Sequence, residues 1–199
     1  GDEKGATRDY MERQQFEKRA VILLACTRHD KAVIGALSPG IAGGQKAVVE
    51  LTQGAHEVRW WNRTANTLDA FRRLGGVEYE GVFGEGLAKP LLMTDDLRAA
   101  IEGCQAVVCA LPTTSHAMVA FALAKAGVRA NVPVILNPGH TGGALEFETA
   151  FKKQRAEVPP IAELSTLTYV ARKNQPQRVT ISGRAKQVRL AALPNTKAL

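Results

Sequence analysis

The chain is poor in the residues and patterns that tie proteins to metals, membranes or disulfide frameworks. Its 199 residues include three cysteines, Cys26, Cys104 and Cys109, an odd number with neither a Cys-x-x-Cys pair nor Cys/His ligand spacing. That usage excludes a disulfide scaffold and a zinc module, and it predicts buried, reduced thiols. The four histidines, His29, His56, His116 and His140, have no metal spacing either, so no metal site is expected. No apolar run approaches the length that crosses a bilayer. Ala20–Ala25 is far too short, and the charge-mixed residues before it do not resemble a signal peptide. Internal repeats and low-complexity segments are lacking as well. The expectation left standing is a soluble, cytoplasmic protein without a membrane partner.

What is present is a positive charge and enough apolar material for one core. The formal net charge is +7 and the pI near 9.5, but the Lys and Arg are dispersed and carry no recognition motif. This argues against nucleic acid and suits a small molecule bearing phosphates. With 45% hydrophobic and 23% charged residues, the chain is long enough for one sizeable domain and too short for two ordinary ones.

The stretch Lys31–Arg63 carries the most information. Lys31–Gly35 reads as a short strand, Gly35, Gly40, Gly43 and Gly44 crowd a turn, and Ala47, Val48 and Leu51 fall on one helical face before Gln53-Gly54 stops it. His56–Trp61 then alternates as a second strand. This is the grammar of a dinucleotide-binding βαβ unit, in which glycines let the backbone approach a pyrophosphate and the helix N-terminus offers unpaired N–H groups to it. The spacing departs from Gly-x-Gly-x-x-Gly, because Leu37-Ser38-Pro39 is inserted between Gly35-Ala36 and Gly40.

Downstream, Thr64 or Asn66 can cap a helix carrying Leu68, Phe71 and Leu74, stopped by Gly75-Gly76, and Val77–Leu92 alternates as paired strands. A helix over Leu97–Glu102 follows Thr94-Asp95-Asp96. The continuous apolar run Ala106–Leu111 marks a strand buried on both faces, and helix Ser115–Ala126 leads to a similar run at Val132–Leu136. Beyond Pro159-Pro160 come short strand-like runs at Ile161–Leu167, Tyr169–Arg172, Arg178–Ser182 and Gln187–Leu193. The predicted architecture is a doubly wound α/β, Rossmann-type, mostly parallel sheet, finished by additional antiparallel strands at its C-terminal end.

The order of motifs resembles the N-terminal, nucleotide-binding domain of the opine dehydrogenases, the octopine/nopaline dehydrogenase family. The glycine turn with Gly54-Ala-His-Glu-Val-Arg-Trp-Trp-Asn-Arg63 carries the match, with Ala110-Leu-Pro-Thr-Thr-Ser-His116, Leu136-Asn-Pro-Gly-His-Thr-Gly-Gly-Ala-Leu-Glu-Phe147 and Ala162-Glu-Leu-Ser-Thr-Leu-Thr-Tyr-Val-Ala-Arg172. The resemblance implies an oxidoreductase that condenses an α-keto acid reductively with the amino group of an amino acid, using NADP or NAD. It divides the chain into an extension over 1–30 and the dinucleotide-binding domain over 31–199. In the family a helical C-terminal domain supplies most of the substrate site and the acid/base histidine. The expectation is therefore that this domain is absent here, that no catalytic residue lies within the chain, and that the chain alone is inactive. Ketopantoate-reductase-like or glycerol-3-phosphate-dehydrogenase-like chemistry stays open as an alternative, and so does a non-catalytic nucleotide-binding or interaction module.

On this reading Gly35, Gly40, Ile41, Ala42 and Gly43 face the pyrophosphate. Asn62 and Arg63 stand where an NAD-specific domain usually has an acidic residue, and a guanidinium there suits a ribose 2′-phosphate, so the cofactor leans toward NADP. A solvated arginine beside a helix cap is the equal alternative. Leu111, Pro112 and His116 follow a buried strand and are candidates along the nicotinamide half; His116, the single candidate for catalysis, equally suits a core-satisfying role. Asn137 ends the next strand as a further cofactor candidate, and Thr141, Gly142 and Glu163 are candidates for substrate. An apolar face where a second domain would dock predicts self-association as a homodimer.

Overall fold

In the computed structural model of the chain, residues 20–25, 39–173 and 177–194 are described. A seven-stranded sheet organises them. Strand β1 (Ala20–Ala25) lies inside it, with β2 (Glu57–Asn62) and β5 (Leu92–Thr94) on one side and β6 (Ala106–Cys109), β7 (Val134–Leu136), β8 (Ile161–Leu164) and β11 (Leu190–Leu193) on the other. The order β5-β2-β1-β6-β7-β8 is parallel throughout, and β11 pairs antiparallel with β8 at the edge. Strand order reverses between β1 and β6, which makes this a doubly wound sheet.

Both faces of the sheet are covered, which is why its central strands read as unbroken apolar runs. Helices α3 (Leu97–Ile101), α4 (His116–Ala126) and α5 (Gly143–Lys152) cover one face, where Val107 and Cys109 meet Leu123, Phe147 and Phe151. The opposite face carries α1 (Pro39–Gln53) and α2 (Asn66–Leu74), where Val108 and Ala110 meet Val48, Val49 and Phe71. The two tryptophans of β2 alternate between these layers. Trp60 sits edge-on to Phe71 at 4.9 Å, and Trp61 joins the other cluster while its indole N–H donates to Asp95 O at 2.9 Å. Packing is thus the role the structure gives both rings.

A second sheet lies outside α1. It runs β4 (Gly86–Ala88), β3 (Val77–Gly81), β10 (Arg178–Arg184), β9 (Tyr169–Lys173), with β10 parallel to β3 and the other pairs antiparallel. Val77, Tyr79, Tyr169, Val179 and Ile181 turn inward onto the α1 layer. Glu78, Glu80 and Arg178 form ion pairs at half-exposed positions of β3 and β10. The sequence placed the late strands in one sheet. Instead β8 and β11 complete the main sheet while β9 and β10 pair with the β3–β4 hairpin, because α1 leaves an apolar outer face that a further layer must cover.

Local signals explain most boundaries. Asp96 caps α3 by accepting the amides of Arg98 and Ala99, and Gly75 and Gly127 end α2 and α4 in the left-handed conformation, at φ 79° and 85°. Neither Thr64 nor Asn66 caps α2. Its first residue is preceded by Ala65 without a side-chain cap, and the Thr64 amide instead donates to Asn62 Oδ1 at 3.0 Å. A short 3₁₀ turn, Thr113–Ser115, precedes α4, which starts one residue after the expected Ser115.

The start of the sheet also differs from expectation. The strand beside β2 and β6 is Ala20–Ala25, within the 1–30 segment read as an extension, and Lys31–Gly35 lies outside the described residues. A six-residue apolar run satisfies a doubly flanked position better than a shorter one. Cys104 and Cys109 are buried, and burial pushes the Cys104 thiol upward. Among the described residues, no helix is long and apolar enough to cross a membrane and no cluster could hold a metal.

Candidate functional site

The candidate site lies where strand order reverses. Connections leaving β1 and β6 pass to opposite faces of the sheet, so a crevice opens beyond their carboxyl ends. As the crossover between two parallel strands, α1 runs back across the sheet and presents its first turn toward that edge. The turn contains Pro39, Gly40, Ile41, Ala42 and Gly43, and no acidic residue. Proline at the first helical position has no N–H to lose, and no carboxylate competes for the amides that follow it. A diphosphate fits there on chemical grounds, since small residues and unpaired amides are what its close approach needs. The inserted Leu37-Ser38 and Gly35 lie outside the described residues, while Pro39, the last inserted residue, starts the helix.

At the end of β2 the two candidates separate. Asn62 is buried and its side-chain oxygen is taken by the Thr64 amide, a local turn that fixes the chain direction. Arg63, one residue on, is exposed. The turn that Asn62 closes thus leaves Arg63 at the surface just past the end of β2.

Past β6, Leu111 is buried, Pro112 is partly exposed, and His116 at the first turn of α4 is fully buried. Neither ring nitrogen of His116 reaches hydrogen-bond geometry. Desolvation pushes its pKa below the usual range, against the opposing pull of the nearby Leu111 carbonyl, Glu146 and Glu163. The neutral imidazole packs against Gly143, where an added Cβ would sit 3.1 Å from Nδ1. A larger residue at 143 would press on the imidazole.

The ends of β7 and β8 converge on α5. Glu163 Oε2 accepts the Ala144 amide at 2.7 Å and Oε1 the Gly142 amide at 3.4 Å, so the carboxylate holds the start of a helix whose free amides had been read as a place for cofactor or substrate. Gly139 makes this approach possible, because a Cβ there would lie 2.2 Å from that of Glu163. His140, at φ 52°, and Thr141 are exposed in the same loop. Thr141 and Glu163 share a cavity of about 230 Å³ with His140, Ser165 and Arg189.

Asn137 is buried and committed to Thr168. Its Nδ2 donates to Thr168 Oγ1 at 3.1 Å and its Oδ1 accepts the Thr168 amide at 3.4 Å. Thr168 Oγ1 donates onward to Glu50 Oε2 at 3.2 Å. One turn earlier on α1, the buried Lys46 donates to Ala171 O at 2.7 Å and lies 5.3 Å over the Tyr169 ring. Burial lowers its pKa to about 8. Lys46, Glu50 and Thr168 were missed by sequence reasoning. The one available signal was a pair of charges four apart on an otherwise apolar helix.

No protein-family model matches the chain. An opine dehydrogenase of Arthrobacter sp. (strain 1C) is 30% identical over 156 residues, which are 78% of this chain and 43% of that protein. The chain is similar to an opine dehydrogenase over most of its own length. It matches the N-terminal part and spans about two-fifths of the length of that curated relative. Solved structures agree on the fold. Octopine dehydrogenase in complex with NADH and agmatine has a TM-score of 0.69 at 17% identity, covering 88% of this chain and 42% of its own. NADP+-bound yersinopine dehydrogenase has 0.66 at 14%, covering 88% and 41%. A putative 2-dehydropantoate 2-reductase from Enterococcus faecalis has 0.55 at 13%, covering 87% and 48%. The seven-stranded sheet is thus a Rossmann-type sheet like those of these structures.

Proposed function

We propose that this domain binds a nicotinamide dinucleotide across the carboxyl edge of the main sheet and serves an opine-type reductive condensation of an α-keto acid with an amino acid. The observation that carries the reading is the switch point between β1 and β6, with the glycine-bearing, carboxylate-free first turn of α1 beside it. Similarity to an opine dehydrogenase supports the reaction class. Gly35, Gly40, Ile41, Ala42 and Gly43 take the pyrophosphate, and Arg63 takes the adenosine ribose. Leu111, Pro112 and His116 border the nicotinamide, while Thr141, Gly142 and Glu163 border the substrate.

When bound, the reduced nicotinamide supplies a hydride; the protein's part is to orient and to exclude water. Leu111 and the buried His116 offer a dry wall, and the turn that Asn62 closes leaves Arg63 at the surface. The proton that completes amine formation is assigned to no group here: His116, fully buried with its pKa lowered, is a wall of the site. NADP is the preferred form because an exposed guanidinium at Arg63 pairs with a 2′-phosphate and repels nothing on it.

Isothermal titration with NADPH and NADH, repeated on Arg63→Ser, tests this. NADPH is expected to bind more tightly, and the substitution to weaken it about tenfold while leaving NADH unchanged, as for loss of one charge-assisted contact. Absence of binding by either nucleotide at millimolar concentration overturns the proposal, and equal losses for both overturn the NADP preference alone.

A further inference from the structure

Three residues far apart in sequence, Asn137, Thr168 and Glu50, form one directed chain of hydrogen bonds, and its polarity follows from chemistry. Glu50 presents an acceptor-only carboxylate, so the single hydroxyl proton of Thr168 points to it across 3.2 Å. The Thr168 oxygen must then accept, and it does so from Asn137 Nδ2 at 3.1 Å. That leaves Asn137 Oδ1 for the Thr168 amide at 3.4 Å, and the carboxamide orientation is fully specified. The other oxygen of Glu50 faces the Arg184 guanidinium at 3.6 Å. Lys46, four residues before Glu50 and on the same side of α1, grips the carbonyl of Ala171. Two successive turns of α1 are therefore held by the segment Thr168–Ala171, and that segment is itself held by the end of β7.

We infer that Thr168 is a positioning residue, which couples the helix proposed to hold the pyrophosphate to the loop after β7 proposed to border the substrate, without touching the cofactor. The inference rests on the nucleotide-binding reading of α1. Helix α1 packs through the buried Ala47, Val48 and Val49, and bonds with a fixed direction constrain its position along its own axis further. Directional bonds at Lys46 and Glu50 supply that constraint. If Thr168 is lost, Glu50 and Asn137 both lose a half-buried partner, and the first turn of α1 is no longer indexed to the strand end.

The test compares Thr168→Val, which keeps the shape and removes the hydroxyl, with Thr168→Ser, which keeps the hydroxyl. Thr180→Val serves as control, because Thr180 bonds Glu80 in the second sheet at 2.6 Å, away from α1. NADPH affinity is measured by titration at a temperature where all variants are folded, and hydrogen exchange of α1 amides is followed without ligand. Thr168→Val is expected to weaken binding about tenfold and to speed α1 exchange, with Thr168→Ser near the parent and Thr180→Val unchanged in both. Parent-like affinity and exchange in Thr168→Val, or an equal loss in Thr180→Val, overturn the inference. Should the parent bind neither nucleotide, the functional proposal fails by itself. Exchange of α1 then decides the coupling: acceleration confined to Thr168→Val supports it, and unchanged protection overturns it.

Discussion

Glu163 and Ala144 are joined by a 2.7 Å hydrogen bond from a backbone amide to a carboxylate, which fastens the end of β8 to the first turn of α5. A strand end and a helix start that are 19 residues apart thereby share one charge. Removing it with Glu163→Ala is expected to lower stability by about 1–2 kcal/mol, the usual cost of losing a helix cap. Glu163→Gln, which keeps an acceptor and loses the charge, should cost less. Urea unfolding of the two variants checks the order, and a Glu163→Ala protein as stable as the parent would remove the capping role.

The glycines of the same loop separate two physical reasons for their presence. Gly139 has no room for a Cβ, since Glu163 stands 2.2 Å from where it would be, whereas Gly142 is surrounded by open space but holds φ at 87°. Gly139→Ala must displace the β8 backbone and is expected to cost about 3 kcal/mol. Gly142→Ala meets only the left-handed backbone penalty of roughly 1–2 kcal/mol. Thermal unfolding midpoints should rank parent, Gly142→Ala, Gly139→Ala from high to low.

His116 makes the domain acid-sensitive. Burial lowers its pKa below the usual 6.5, so the unfolded chain takes up a proton that the folded state resists. Its contribution to stability is present above pH 6.5 and falls as the pH drops below that value. Glu146 and Glu163 moderate the effect and His140 adds to it. In His116→Leu the slope of stability against pH between 7 and 5 should flatten, measured by denaturant unfolding at stepped pH. An unchanged slope would mean that other groups carry it.

Lys46 and Tyr169 predict the alkaline behaviour. Burial lowers Lys46 from 10.5 to about 8, so the folded state gives up its proton first and stability rises between pH 8 and 10.5. The full shift corresponds to on the order of 3 kcal/mol. Tyr169 acts in the other direction: burial, then the Glu50 charge, raises its hydroxyl above the usual 10.0, so stability falls once the unfolded chain ionises beyond that pH. A stability maximum near pH 10 is expected for the parent. Lys46→Met should lose the rise and keep the fall.

Much of the fold was legible because apolar periodicity is a local property. The run Ala106–Leu111 announced a strand buried on both faces, and Val107, Val108 and Cys109 are so buried. Asp96 and Gly75 announced helix ends through chemistry that acts within a few residues. The assignment of strands to sheets was not legible. Whether β9 and β10 extend the main sheet or build a second one depends on which apolar surface remains uncovered after α1 docks, and no window of sequence contains that surface. Ala20–Ala25 was equally ambiguous, since a six-residue apolar run suits a strand or one side of a helix until β2 and β6 pair with it.

The candidate site divides along the same line. By itself the sequence determined the residue types at the carboxyl edge: glycines before a helix, an arginine where an acid is usual, a proline and histidine after β6, and the Asn-Pro-Gly turn after β7. Tertiary structure alone decided what those groups do with one another. It turned Asn62 inward onto the Thr64 amide, buried His116 with neither ring nitrogen hydrogen-bonded, placed Glu163 at the start of α5, and tied Asn137 to Thr168 and Thr168, across 118 residues, to Glu50. A side chain's available donors and acceptors are written in its identity, but their partners are set by distances of about 3 Å, which exist only once the chain has folded.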